Sequence, residues 1–181
     1  EQLMTSKTTH ATHLYNGMRG LHHREAGVAG HALLTDGLMV EMIVDGIHIT
    51  PDMVDFAYRM KGAEGVVLIS DAMRAKGLAD GESELGGQKV FIKNGEARLE
   101  NGSLAGSVLK MDDAFRNMIA FTGCSISEAV QMSSVNQAKE FGLDKKGAIA
   151  VGKDADFVLM NHELQVEETY HLGKRFTKED I

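Results

Sequence analysis

The stretch Leu38-Met39-Val40-Glu41-Met42-Ile43-Val44-Asp45-Gly46-Ile47-His48 decides the architecture. Its apolar part, Leu38 to Val44, is interrupted only by Glu41, too little alternation for a strand with one face in water. A short run of this kind reads as a strand buried on both faces, as in a parallel sheet. The polar residues that follow place chemistry at the strand's carboxy-terminal end.

Working outward, about Thr8 to Tyr15 and Val66 to Ser70 read the same way. Ahead of Val66 lies a well-punctuated helix, with Thr50 as N-cap, Pro51 at the first helical position and Gly62 at its end. Met53, Phe56, Ala57 and Met60 fall at helical spacing and are its expected buried face. A weaker helix, near Val28 to Leu34, separates the first two strands. The order β-α-β-α-β with short connections predicts a parallel sheet. Three parallel strands do not close, whereas a (β/α)₈ barrel needs eight. The expected fold class is therefore α/β, the last three strands of a TIM-like barrel.

Downstream, Val90-Phe91-Ile92-Lys93, Asn94-Gly95 and Glu96-Ala97-Arg98-Leu99 spell a hairpin, because Asn-Gly favours the type I′ turn. A Gly/Ser-rich loop runs from Asn101 to Ser107. A helix is expected from about Val108 to Thr122, with Met111, Ala114, Phe115 and Met118 on one face. Ser125 and Glu128 form a capping box for the next helix, and Ser134 with Gln137 repeats the relation for another, which Gly142 stops. Strands return at Ala155 to Met160 and about Val166 to Tyr170.

Composition narrows the function. A net charge of −7, with no Lys/Arg run beyond Lys145-Lys146 and Lys174-Arg175, argues against nucleic acid or an anionic membrane as partner. The lone Cys124 cannot form an intrachain disulfide, which fits a reducing compartment. No apolar stretch approaches the roughly 18 residues needed to span a bilayer. Glu1 to Lys7 lacks the apolar core of a signal peptide, and a first residue of Glu suggests a chain cut from a longer one. Cytoplasm is the expected location.

Reactive residue types lie at or just past all three strand ends: His13, then Asp45 and His48, then Asp71. In a parallel barrel the active site is built at that end, so these residues would converge. A histidine and an aspartate so placed suit a divalent metal and a general acid/base. Plainer readings stand beside this one. A single strand-end histidine is commonly structural, and an aspartate after a strand commonly caps the next helix. His48 could merely pack ahead of Thr50, and His22-His23-Arg24-Glu25 could be a solvated loop. No His-x-His or His-Glu-x-x-His motif is present. The residues by themselves support a barrel-like hydrolase or lyase and no particular substrate.

Five strings occur in order: Thr12-His13-Leu14-Tyr15-Asn16-Gly17-Met18, His23-Arg24-Glu25-Ala26-Gly27, Asp45-Gly46-Ile47-His48, Ser70-Asp71-Ala72 and Gly102-Ser103-Leu104-Ala105-Gly106-Ser107. Together they resemble the second half of the N-acetylglucosamine-6-phosphate deacetylases, from about Thr8 to the C-terminus. The segment Gly147 to Val158, with Gly152-Lys153-Asp154-Ala155-Asp156, resembles the tail of the wider amidohydrolase superfamily. There the chain returns to a small β-sandwich beside the barrel. The implied domains are 1–146, barrel with a hairpin near 88–100, and 147–181, β-sandwich strands.

The resemblance implies hydrolysis of N-acetylglucosamine 6-phosphate to glucosamine 6-phosphate and acetate by a metal-activated water. It makes His13 a metal ligand and Asp71 the carboxylate that activates the water and later protonates the amine. It gives His48 a substrate contact near the scissile amide, with Asp45, Gly46 and Ile47 as that wall. Asn16 and Gly17 meet the sugar phosphate, and Leu104, Ala105 and Gly106 lie near the acetyl group. Arg24 binds the phosphate across a homodimer interface, a job its planar fork of donors suits. The metal is divalent, zinc or iron ahead of manganese or cobalt. Two departures stand out. A glutamate and a second histidine that complete the family's metal site lie upstream of this stretch, so the segment alone is expected to be inactive. Asn136-Gln137-Ala138 stands where relatives often read Asn-Pro-Ala. Two alternatives are another amidohydrolase of the superfamily, such as a dihydroorotase-like ring opener, and a non-catalytic piece that binds a partner or a phosphosugar.

Overall fold

Strands β1 (His10–Ala11), β2 (Met39–Met42) and β3 (Val66–Leu68) pair in that order as a parallel sheet, in a computed structural model that describes residues 8–177. The opening segment Glu1 to Lys7 lies outside them. Helices α1 (Gly27–Leu34) and α2 (Pro51–Lys61) connect the strands as the pattern predicts. Val40, Met42, Val66 and Leu68 are buried with Ala29, Ala32 and Leu33 of α1 and Val54 and Ala57 of α2. Each fully buried side chain of this size contributes roughly 1.5–3 kcal/mol of hydrophobic stabilisation.

The buried face of α2 differs from the expected one. Val54 and Ala57 point inward and Met53 packs beside them, while Phe56 and Met60 are 41% and 42% exposed. Thr50 holds the N-cap position, but its hydroxyl makes no capping bond. The first and third strands are also shorter than their apolar runs. The ladder continues past them through Leu14 N–H to the Glu41 carbonyl (2.8 Å) and Ile69 N–H to the Met42 carbonyl (3.0 Å). Beyond Ala11 the chain coils into a tight turn, which ends β1 early.

A second sheet is an antiparallel meander of β4 (Gly81–Leu85), β5 (Gln88–Lys93) and β6 (Glu96–Leu99). Asn94 and Gly95 both take positive φ (52° and 80°), as the expected type I′ turn requires. Strand β4 was not expected, because Gly-Glu-Ser-Glu-Leu carries no apolar alternation and is largely exposed.

Helix α3 (Met111–Thr122) starts later than Val108 and buries Ala114, Phe115 and Met118. Helix α4 (Ile126–Val130) opens with the expected Ser125–Glu128 capping box. Ser134 opens nothing. The chain runs on through a π turn, Gln131–Val135, into α5 (Asn136–Glu140). Asn136 is buried and its Nδ2 donates to the Ala63 and Val66 carbonyls (2.8 and 2.7 Å). Gln137 Nε2 donates to the Met132 and Leu68 carbonyls (2.8 and 3.3 Å). This pair braces β3 instead of capping a helix.

The third sheet is antiparallel: β7 (Phe157–Met160), β8 (Val166–His171) and an unexpected β9 (Lys174–Phe176). Lys146, expected as a solvated surface cation, ties the approach to this sheet through Asp154 (2.9 Å) and Asp156.

Candidate active site

The parallel register sets the carboxy-terminal ends of β1, β2 and β3 along one edge, and a polar turn leaves each. The first turn spans His13 to Met18, closed by Asn16 N–H to the His13 carbonyl (2.9 Å). His13 and Tyr15 take positive φ (38° and 73°), a conformation that costs a side-chain-bearing residue of order 1–3 kcal/mol. Tyr15 helps hold it: its ring packs on the core and its hydroxyl donates to the Met53 carbonyl (3.4 Å). Burial pushes that phenol up to about 12. Among the described residues, the buried His13 Nδ1 has no hydrogen-bond partner. Asn16 spends its side-chain amide on the Leu14 carbonyl (3.2 Å), and a Cβ on Gly17 would stand 3.9 Å from His13 Cε1.

The second turn is a closed unit. Asp45 Oδ1 accepts the backbone N–H groups of Ile47 and His48 (2.8 and 2.7 Å), and Oδ2 bonds His48 Nδ1 at 2.6 Å. Both side chains are nearly buried, 9% and 7% accessible for Asp45 and His48. Burial raises the Asp45 carboxyl's pKa, but the bonds from His48 and the two amides outweigh it and hold it below the usual carboxylate value. Asp45 therefore faces its own loop, not outward as the expected wall of a pocket. Helix α3 seats this turn: Asn117 Nδ2 donates to the Val44 carbonyl (2.9 Å), and Phe121 lies under Gly46, 3.5 Å from where a Cβ would stand. Gly46 also has φ +76°, so a side chain there meets both strain and a ring.

The third turn carries Asp71, with φ 45° and an exposed side chain. No helix starts after it, so the capping alternative has no support. No described residue bonds its carboxylate. Its backbone is clamped by the loop that returns from the second sheet. Ser107 N–H donates to the Asp71 carbonyl (3.0 Å), Met73 N–H to the Ser107 carbonyl (2.9 Å), and the buried Ser107 hydroxyl to the Ser70 carbonyl. Gly106 is thereby brought against the third turn, where a Cβ would stand 3.5 Å from the Asp71 carbonyl oxygen, while Leu104 and Ala105 pair with Arg98 and Ala97 of β6.

Arg24 is not tied to the other candidates. It sits in an exposed loop where Nη1 bonds His23 Nε2 (2.7 Å), beside the His22 and His23 rings, which lie 4.3 Å apart and tilted by 36°. An apolar groove of about 290 Å³ adjoins this loop, lined by Leu21, Leu33, Leu34, Phe56 and Met60 among others.

Residues that sequence reasoning missed are the supports: Tyr15, Ser107, Asn117 and Phe121. Asn117 lies 73 positions from the carbonyl it holds, so no local pattern could mark it. Among the described residues no group of three His, Cys, Asp or Glu side chains is arranged to hold a metal ion. His13, with its unpartnered buried nitrogen, fits one ligand of such a site. The residues present do not make a whole one.

The chain belongs to the amidohydrolase family, whose model matches residues 3–176. Within that class it is 50% identical to the N-acetylglucosamine-6-phosphate deacetylase of Lysinibacillus sphaericus, over 90% of this chain and 42% of that relative. The structure matches the N-acetylglucosamine-6-phosphate deacetylase of Thermotoga maritima with a TM-score of 0.91 and 43% identity, covering 96% of this chain and 48% of that one. A putative N-acetylgalactosamine-6-phosphate deacetylase of Escherichia coli (strain K12) is 39% identical over 90% of this chain and 97% of its own length. The chain thus spans about two fifths of the first curated relative. Its fold is mixed α/β, resembling part of those deacetylases.

Proposed function

We propose that the protein hydrolyses N-acetylglucosamine 6-phosphate to glucosamine 6-phosphate and acetate, with Asp71 as its acid/base. One observation supports the reading: a carboxylate and a buried histidine nitrogen, neither with a partner among the described residues, leave the first and third strands of one parallel sheet, on either side of β2, at the same edge, in a chain this similar to deacetylases of that name. The sheet is proposed as the last three strands of a (β/α)₈ barrel, with 1–146 as barrel and 147–181 as strands of a β-sandwich.

His13 is proposed as one ligand of a divalent metal, zinc or iron before manganese or cobalt, and its remaining ligands lie outside the described residues. When bound, such an ion polarises the acetamide carbonyl and lowers the pKa of water. Asp71 takes a proton from the attacking water and returns it to the amine nitrogen as the C–N bond breaks, releasing acetate. His48 lies along the acetamide. Asn16 and Gly17 meet the sugar phosphate, Leu104, Ala105 and Gly106 the acetyl group, and Gly46 and Ile47 the wall beside His48. Arg24 forks onto the phosphate of a second copy's substrate, which its exposed loop and the adjoining apolar groove support. No helix among the described residues is long and apolar enough to cross a membrane. The proposed cytoplasmic address rests on the lone, buried Cys124.

A second reading, the galactosamine epimer as substrate, is favoured by the relative from E. coli. The test is acetate release by the whole natural protein carrying this sequence, supplied with divalent metal. The 6-phosphates of N-acetylglucosamine and N-acetylgalactosamine and the unphosphorylated sugar are compared. Asp71→Asn is expected to lower turnover about 10²–10⁴-fold. Loss of the phosphate is expected to cost most of the rate. No release from either sugar phosphate would leave the non-catalytic reading in its place.

A further inference from the structure

We propose that Asp45 is a positioning residue for His48: it holds the imidazole in the tautomer with the proton on Nδ1 and turns Nε2 towards the substrate amide. The inference rests on the deacetylase reading for its kinetic consequence, and on this chain's own geometry for the rest. It changes the role of Asp45 from a wall the substrate touches to a support behind it.

Both oxygens of Asp45 are committed within one turn. Oδ1 receives two backbone N–H groups, which locks χ1 and χ2, and Oδ2 is then 2.6 Å from His48 Nδ1. An ionised carboxylate can only accept, so Nδ1 must donate and carries the proton. The other nitrogen, Nε2, bonds no described residue. A histidine whose Nδ1–H is tied to a carboxylate has its ring orientation and its free nitrogen chosen in advance. The backbone on either side of Asp45 is held by helix α3, through Asn117 on the Val44 carbonyl and Phe121 beneath Gly46, so the turn that carries the carboxylate is anchored to that helix. With the proton on Nδ1, Nε2 presents its lone pair and accepts, so it suits the N–H of the substrate amide and is aimed before the reaction begins.

Asp45→Asn is the sharp variant. Its amide oxygen still accepts the two backbone N–H groups, but its NH₂ now faces Nδ1 and demands an acceptor, which moves the ring proton to Nε2. Proton–nitrogen NMR of the imidazole rings reads the tautomer, with His48→Gln assigning the signals. In the unsubstituted protein His48 is expected to show Nδ1–H, and in Asp45→Asn it is expected to show Nε2–H. An Nε2–H ring in the unsubstituted protein overturns the proposal, whether or not the variant folds. An unchanged ring in a folded variant overturns it too.

In turnover of N-acetylglucosamine 6-phosphate, Asp45→Asn and His48→Gln are each expected to lower kcat about 10²-fold through lost positioning, with KM nearly unchanged. The double variant is expected to be no worse than either single one, because the pair acts as a unit. A raised KM with intact kcat, or additive losses, would mean direct contact with substrate and sink the idea. If the unsubstituted protein turns over no sugar phosphate, the proposed function fails while the NMR result still decides the role of Asp45.

Discussion

The parallel sheet and the carboxy-terminal sheet have the same number of strands and opposite ways of being stable. In β1–β3 the apolar side chains of β2 and β3 that face the helices are almost wholly inaccessible, sealed by α1, α2 and α3. In β7–β9, Val158 and Leu159 are 47% and 46% exposed. What holds that sheet is cross-strand chemistry: Phe157 stacks on Tyr170 at 4.5 Å, Arg175 pairs with Glu168, and Asp156 receives Lys146 and the Leu172 N–H. The contrast explains where the strained turns sit. His13, Tyr15 and Asp71 hold unfavourable backbone angles at the ends of strands that a packed core keeps in place. Such a core resists deformation, so turns anchored on it keep their aim.

Breaking the comparison starts in the core. Leu68→Ala should cost about 2–5 kcal/mol in denaturant unfolding, while Leu159→Ser should stay within about 0.5 kcal/mol. Equal losses would show that the third sheet is packed as firmly as the first. A step smaller, Ser107→Ala strips the Ser70 carbonyl and the Leu109 N–H of a buried partner. It should cost about 1–3 kcal/mol and speed exchange of the Leu109 amide. An unmoved midpoint would mean that the clamp behind Asp71 is not needed.

The smallest effect belongs to Asp156. The bond from Lys146, then that from the Leu172 N–H, hold its carboxyl at about 2 instead of the ordinary 3.8. A lowered folded-state value stabilises above the unfolded value and is lost as pH falls through the folded one. The stability advantage over Asp156→Asn should therefore be full above about pH 4 and shrink as pH falls towards 2. Melting curves across that range check it. A constant gap would remove ionic pairing from the account of this sheet.

Legibility followed the range of the interactions involved. The capping box at Ser125, the Asn94-Gly95 turn and the strand at Leu38 are local, and all were readable from neighbouring residues. The site was readable only as four side chains at strand ends, with roles supplied by resemblance. Phe56 and Met60 misled because a helix pattern marks apolar positions and does not say which of two stripes faces the sheet. Strands β4 and β9 were missed because cross-strand hydrogen bonds made them, with no apolar period to betray them. Ser134 was misread because a π turn continued the helix through it.

By itself the sequence determined the β-α-β-α-β order of the first three strands, the parallel character of their sheet and the placing of His13, Asp45, His48 and Asp71 at strand ends. These depend on side-chain period, turn chemistry and capping, all set within a few residues along the chain. Only the tertiary structure decided that Asp45 turns inward onto His48, that α3 seats that loop, that Ser107 clamps the chain at Asp71, and that Arg24 stands apart. Those outcomes depend on which distant groups meet once the core has closed, and a buried polar group takes whichever partner the packing brings within hydrogen-bond reach.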